Sequence, residues 1–261
     1  MPSNADIARD RFSQEAQDWD SNVKHVESTE KALAAIREYV PAFREGRGRD
    51  LRILEIGCGT GLLSFMLAPH IHSLLGVDTA PGMISAFATK LARLAETTAR
   101  PNLLALEHYL INSFSPELRD AAARLAAQCG EEMRSDVADQ ERQSPVQFDL
   151  VVSHLTLHHI PSLEELFGTL YTCLNVGGWV ALTDYEDFGP EAVPFHPVAK
   201  RAGVERHGIR RKEIEELLVG AGFEEVKVEE AFVLRKEVEA EGGRPAREME
   251  FPFLVCLGRK G

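Results

Sequence analysis

Short apolar runs alternate with stretches of helical periodicity along most of the chain. The runs at residues 51–56, 73–78 and 148–153 are each followed by a helical pattern, and strands alternating with helices predict a parallel sheet. Residues 103–111 predict another strand and 179–185 a fifth. Residues 224–234 and 250–257 predict a closing hairpin joined by the polar stretch 237–247, which breaks the parallel rhythm. Helices are predicted over 30–39, over 83–96, after the capping box Ser162-Leu163-Glu164-Glu165, and over 211–221, ended by Gly222. The expected fold class is α/β: one doubly wound, seven-stranded, mostly parallel sheet with helices on both faces, in a single domain spanning 1–261.

Two segments stand outside this rhythm. Residues 1–45 carry Phe12, Ala16, Trp19 and Val23 on a partly helical spacing, which predicts a helical cap able to cover a ligand. Residues 115–147 are rich in Ala, Glu, Arg and Gln, with Ser115-Pro116 as a helix start and Ser144-Pro145 as an exit, and predict an exposed helical insertion.

Charge narrows the partners. With 29 Lys+Arg against 41 Asp+Glu the net charge is -12, and no basic run could track a phosphate backbone, so nucleic acid is not expected. No apolar stretch approaches the roughly 20 residues needed to cross a bilayer, and the N-terminus lacks the pattern of a signal peptide. A cytoplasmic protein without a membrane partner is expected. Cys58, Cys129, Cys173 and Cys256 lie far apart with no C-x-x-C pair, and are read as reduced thiols; no metal is expected.

The strongest local signal is Leu54-Glu55-Ile56-Gly57-Cys58-Gly59-Thr60-Gly61-Leu62, a strand running into a glycine-rich turn and then an apolar helix. Glycines there let the backbone bend sharply and approach a ligand. A dinucleotide fingerprint would need its third glycine where Leu62 stands, which disfavours pyrophosphate and a nicotinamide oxidoreductase. Gly76-Val77-Asp78 ends the next strand with a carboxylate, where such a unit presents an acid to ribose hydroxyls. The alternative for Asp78 is a cap on the helix beginning near Pro81.

These segments resemble the class I S-adenosylmethionine-dependent methyltransferases: residues 55–61 their first motif, 76–83 the segment after it, 148–154 the fourth strand, and Leu174-Asn175-Val176-Gly177-Gly178-Trp179 the turn into the fifth. The opening Phe12, Ala16, Trp19 and Asp20, with the run Ser153-His154-Leu155-Thr156-Leu157-His158-His159-Ile160, are most similar to the small-molecule branch, the quinone-biosynthesis and related type 11 enzymes. The resemblance implies S-adenosyl-L-methionine as cofactor. It sets Gly57, Cys58, Gly59 and Gly61 against the methionine part, Glu55 near the amino group, Asp78 and Thr79 at the ribose, Met83 on the adenine, and Ser153 beside the site. The family's acid after the third strand is replaced by the stretch 107–112, which leaves Tyr109 and Asn112 as adenine candidates. Trp19 is either a core aromatic or a lid over the cofactor.

Methyl transfer demands alignment and a dry pocket, and a general base only for an acceptor that arrives protonated. His154, His158 and His159 follow the fourth strand at the sheet edge where ligands bind, and are the candidate bases; the alternative is that they tie the loop to its surroundings. Tyr185, Glu186, His196 and His207 are candidate substrate contacts. The expected function is methyl transfer to a small-molecule acceptor. The alternative is a catalytically silent methyltransferase fold that binds cofactor and serves a partner subunit.

Overall fold

In the computed structural model, which describes residues 2–98, 101–110, 112–131 and 145–261, seven strands form one sheet in the order β3-β2-β1-β4-β5-β7-β6. They are β1 (Arg52–Ile56), β2 (Ser73–Asp78), β3 (Leu103–Glu107), β4 (Phe148–His154), β5 (Leu174–Tyr185), β6 (Phe223–Val238) and β7 (Arg247–Lys260). The first five pair in parallel, whereas β7 runs antiparallel to both β5 and β6. The expected fold class is thus observed. β3 ends at Glu107, short of the predicted boundary, and β5 begins at Leu174, ahead of it.

The continuous apolar runs reflect burial of both sheet faces. Leu54, Leu75 and Val151 point into one layer with Leu118, Phe167 and Ile214, and their neighbours Ile53, Leu74 and Leu150 into the other with Ile36, Leu67 and Phe87. Strand order reverses between β1 and β4, which opens a crevice at their carboxyl ends.

The helices are α1 (Asn4–Glu15), α2 (Val23–Tyr39), α3 (Pro41–Arg44), α4 (Leu62–Leu67), α5 (Pro81–Ala95), α6 (Pro116–Cys129), α7 (Leu163–Thr172) and α8 (Arg211–Gly220). Pro81 and Pro116 stand in the first turns of α5 and α6, where a missing N–H costs nothing. Ser162 Oγ accepts the Glu165 N–H at 3.2 Å and starts α7. Among the described residues, no helix is long and apolar enough to cross a membrane.

Two expectations are corrected. The N-terminal cap divides: α2 buries Ala32 and Ile36 in the core beneath the sheet, while its first half, through Lys24, His25, Ser28 and Thr29, lines the crevice together with α1 and Trp19. α6, expected to be exposed, buries Leu118, Ala121 and Leu125 against the sheet as a crossover helix, because those positions fall on one helical face. Residues 132–144 of the expected insertion lie outside the described residues.

α1 is held from two sides. A Cβ on Gly82, at the start of α5, would lie 2.3 Å from the Ser13 carbonyl oxygen, so the two helices touch through a bare backbone. On the other side the Arg11 guanidinium donates to the carbonyls of Lys200 and Ala202.

Candidate functional site

β1 runs directly into the glycine turn, where Gly57, Gly59 and Gly61 have φ of 68°, 54° and 87°. The N–H groups of Gly57 and Cys58 donate to the Val77 carbonyl at 2.8 and 3.1 Å, fastening the turn to β2. The three glycines have different reasons to be bare. A Cβ on Gly57 would sit 2.3 Å from Thr156 Oγ1, and one on Gly61 2.6 Å from the Phe87 ring. A Cβ on Gly59 would meet only Met83 Sδ, at 3.9 Å, and would project into open space.

That space is part of a cavity of about 1020 Å³ reaching from the glycine turn, under α1, to the loop after β5. Asp78 closes one wall, accepting the Gly59 N–H at 2.9 Å and the Ala80 N–H at 2.8 Å. The first helical cap position of α5 belongs to Ala80, so Asp78 braces the turn and is not the helix cap. Burial raises its carboxyl above the usual range, against the lowering effect of the Ala80 and Gly59 hydrogen bonds. Glu55 is buried behind the turn and accepts a hydrogen bond from the Ser64 hydroxyl. Burial pushes its carboxyl up to about 8, and the Asp78 charge acts in the same direction.

The lid folds over the same end. Met83 is buried with Ala16 and Ala80, and Phe12 and Trp19 pack on them. The Trp19 ring lies on His25, with centroids 3.9 Å apart, and edge-on to Phe12 at 5.6 Å. Thr60, from the glycine turn, donates to Asp20, whose second oxygen receives Lys90 Nζ at 2.6 Å. Glu107 stands beside Asp78 in the β2–β3 register and lines the cavity together with His108 and Tyr109.

At the far end the histidines gather, in different roles. His154 Nδ1 lies 2.9 Å from Thr183 Oγ1 and Nε2 3.3 Å from Ser28 Oγ, so both ring nitrogens are engaged, and burial lowers its pKa to about 4. His158 Nδ1 is 2.9 Å from each oxygen of Asp184. Asp184 also accepts the backbone N–H groups of His158 and Tyr185, at 3.1 and 2.8 Å. His158 is buried and its Nε2 has no partner. His159 Nδ1 is 2.8 Å from the Gly203 carbonyl oxygen, and burial, with the neighbouring His158, pushes its pKa down to about 2. His196 Nδ1 is 3.3 Å from the Tyr185 hydroxyl, and burial lowers its pKa as well.

Of the residues singled out in the sequence, Trp19, Glu55, Gly57, Cys58, Gly59, Asp78, Thr79, Met83, Tyr109, His154, His158, His159 and His196 line one cavity. The others lie outside its lining. Gly61 packs on Phe87, and Asn112 is exposed and accepts the Phe114 N–H at 2.9 Å. Ser153 Oγ donates to the Ile56 carbonyl at 2.8 Å. Tyr185 is buried against Phe195 with centroids 4.0 Å apart, Glu186 pairs with Arg211 at 3.1 Å, and His207 Nδ1 is buried away from the cavity. Sequence reasoning missed Arg11, Glu107 and Lys236, which do line it. Lys236 Nζ donates to the Phe195 carbonyl at 2.6 Å, and burial lowers its pKa to about 8. Nothing in the charged and apolar alternation of β6 distinguishes this lysine from its neighbours.

Comparison with known proteins agrees with this geometry. Residues 25–228 match the family described as "Methyltransferase domain". Phosphoethanolamine N-methyltransferase 3 of Arabidopsis thaliana is 26% identical over 196 residues, covering 72% of this chain and 33% of that protein. An uncharacterized methyltransferase of Schizosaccharomyces pombe is 25% identical over 163 residues, covering 60% of this chain and 48% of that protein. The chain therefore spans a third to a half of the length of these curated relatives. Among solved structures, the magnesium protoporphyrin IX methyltransferase of Synechocystis PCC 6803 with bound SAH superposes with a TM-score of 0.61 at 14% identity, covering 99% of this chain and 100% of that one. With the glycine turn, the strand order and the family match in agreement, the chain belongs to the methyltransferase-domain family and has its class I fold.

Proposed function

We propose that this chain transfers the methyl group of S-adenosylmethionine to a small-molecule acceptor seated at the histidine end of its cavity. The observation that carries this reading is the continuity of the cavity from the glycine turn to His158 and His159. Its volume of about 1020 Å³ is at the top of the range for a single drug-sized ligand, roughly 300 to 1,000 Å³, and leaves space for an acceptor beside the cofactor. The net charge of -12 favours a small molecule over a nucleic acid.

In this arrangement the methionine part lies along Gly57 and Gly59, its ammonium near Glu55, and the ribose on Asp78, with Met83 and Tyr109 beside the adenine. The lid residues Phe12 and Trp19 exclude water, and the pocket aligns the acceptor with the sulfur-to-methyl bond. His154 has no free nitrogen and serves as a tie between α2 and the sheet. The acceptor therefore meets His158 and His159 at this end of the cavity.

Transfer of labelled methyl from the cofactor to a panel of small hydroxyl, thiol and amine acceptors tests the reading, with calorimetry of S-adenosylhomocysteine in parallel. Binding and turnover are expected. Absence of binding would overturn it, and binding without transfer to any acceptor would favour the silent partner subunit.

A further inference from the structure

Two imidazoles at the far end of the cavity are fixed in the same tautomer. His158 Nδ1 faces the Asp184 carboxylate at 2.9 Å, and His159 Nδ1 faces the Gly203 carbonyl at 2.8 Å. Neither partner can donate, so each Nδ1 carries the proton and each Nε2 presents a lone pair. His196 Nδ1 is engaged by the Tyr185 hydroxyl at 3.3 Å, which leaves its Nε2 as the free nitrogen. One ring nitrogen from each of the three lies within 4.8 Å of the other two. His158 Nε2 is buried with no hydrogen-bond partner, a state that calls for an explanation in a folded protein.

Unprotonated ring nitrogens have no hydrogen to offer an anion. They suit a cation that prefers imidazole, and a ligating histidine characteristically donates its other N–H to a carboxylate or backbone carbonyl, as His158 and His159 do. We propose that His158, His159 and His196 bind one divalent transition-metal ion of the zinc class, oriented from behind by Asp184 and the Gly203 carbonyl, with the fourth position open to the cavity.

Zinc–nitrogen bonds of about 2.0–2.1 Å set tetrahedral ligands roughly 3.3 Å apart, so an ion would draw the three nitrogens closer than the 4.8 Å that bounds their present separation. His158 and His159 sit on the short turn after β4, and His196 on the loop after β5, an arrangement able to supply that approach. Arg11 and Lys236 act unfavourably on positive charge at His196, and the Asp184 carboxylate behind His158 supplies the countercharge. An ion in this place would polarise a thiol or hydroxyl acceptor in the open position, whose proton leaves to bulk water. That use rests on the methyl-transfer reading, whereas the ion site itself does not.

The full chain, stripped with a chelator, is titrated with Co²⁺. One ion per chain is expected, with the intense visible bands of four-coordinate cobalt, displaced by Zn²⁺. Because His158 is buried, the half-buried His159 and His196 are replaced. His159→Ala and His196→Ala should each weaken cobalt binding by at least about 100-fold, and Asp184→Asn by roughly 10- to 100-fold. An unchanged circular dichroism spectrum and a cooperative thermal transition show that His196→Ala is folded. A wild-type chain that takes up no ion, or uptake unaffected by both histidine replacements, overturns the site. Cobalt uptake without S-adenosylhomocysteine binding supports the ion and overturns the cofactor reading instead.

Discussion

Asp78 and Gly59 are joined by a 2.9 Å hydrogen bond from the glycine N–H to the carboxylate, and this bond couples the wall of the cavity to the turn that forms its floor. The other oxygen of Asp78 holds Ala80 at the head of α5. Asp78→Ala should therefore act twice. Removing a charge-assisted bond to the cofactor costs about 1.5 to 3 kcal/mol, roughly 10- to 100-fold in affinity, and release of the two backbone N–H groups lowers the melting temperature as well. Calorimetry with S-adenosylhomocysteine, beside thermal unfolding, separates the effects. Lower stability with unchanged affinity would reduce Asp78 to a structural brace.

Gly57 and Gly59 should respond differently to the same methyl group. Gly57→Ala drives a Cβ into the Thr156 side chain at 2.3 Å and should destabilise the fold. Gly59→Ala meets nothing closer than 3.9 Å and pays only the left-handed backbone cost, about 1 to 2 kcal/mol. It should stay folded and lose cofactor affinity, because the new group enters the cavity. Normal affinity in a folded Gly59→Ala chain would move the cofactor away from this turn.

Glu55 predicts a proton linkage. Its carboxyl, pushed up to about 8 in the fold from an ordinary value of 4.5, binds more protons folded than unfolded between those limits. Stability of the ligand-free protein should therefore fall as pH rises from about 4.5 to about 8, and Glu55→Gln should flatten that slope. A cofactor ammonium beside Glu55 favours the carboxylate, so binding near neutral pH should release a proton. Calorimetry in buffers of different ionisation enthalpy reads this release directly. A buffer-independent binding enthalpy would separate Glu55 from the ammonium.

Gly82 controls the seat of the lid. Gly82→Ala places a Cβ 2.3 Å from the Ser13 carbonyl oxygen, which forces α1 away from α5. Amide exchange should quicken in α1 while the strands keep their protection, and S-adenosylhomocysteine should bind more weakly. Unchanged exchange in α1 would mean that α5 accommodates the methyl group without moving the lid.

The sequence by itself determined the sheet and one end of the site. The apolar runs of β1, β2 and β4, the glycine turn and Asp78 are contiguous patterns, governed by local backbone freedom and side-chain periodicity, and each is where those patterns place it. The apolar stripe Leu118, Ala121 and Leu125 was equally local but was masked by its Ala-, Glu- and Arg-rich surroundings, and so α6 was expected to be exposed. Tertiary structure alone decided the rest. Whether a histidine ties, lines or points its lone pair depends on residues distant in the chain: Ser28 for His154, Asp184 for His158, Gly203 for His159 and Tyr185 for His196. Lys236 and Arg11 face the cavity because the end of β6 and the helix α1 meet the loop after β5 there. No periodicity within one element encodes such a meeting, because it is set by how separate buried faces pack together.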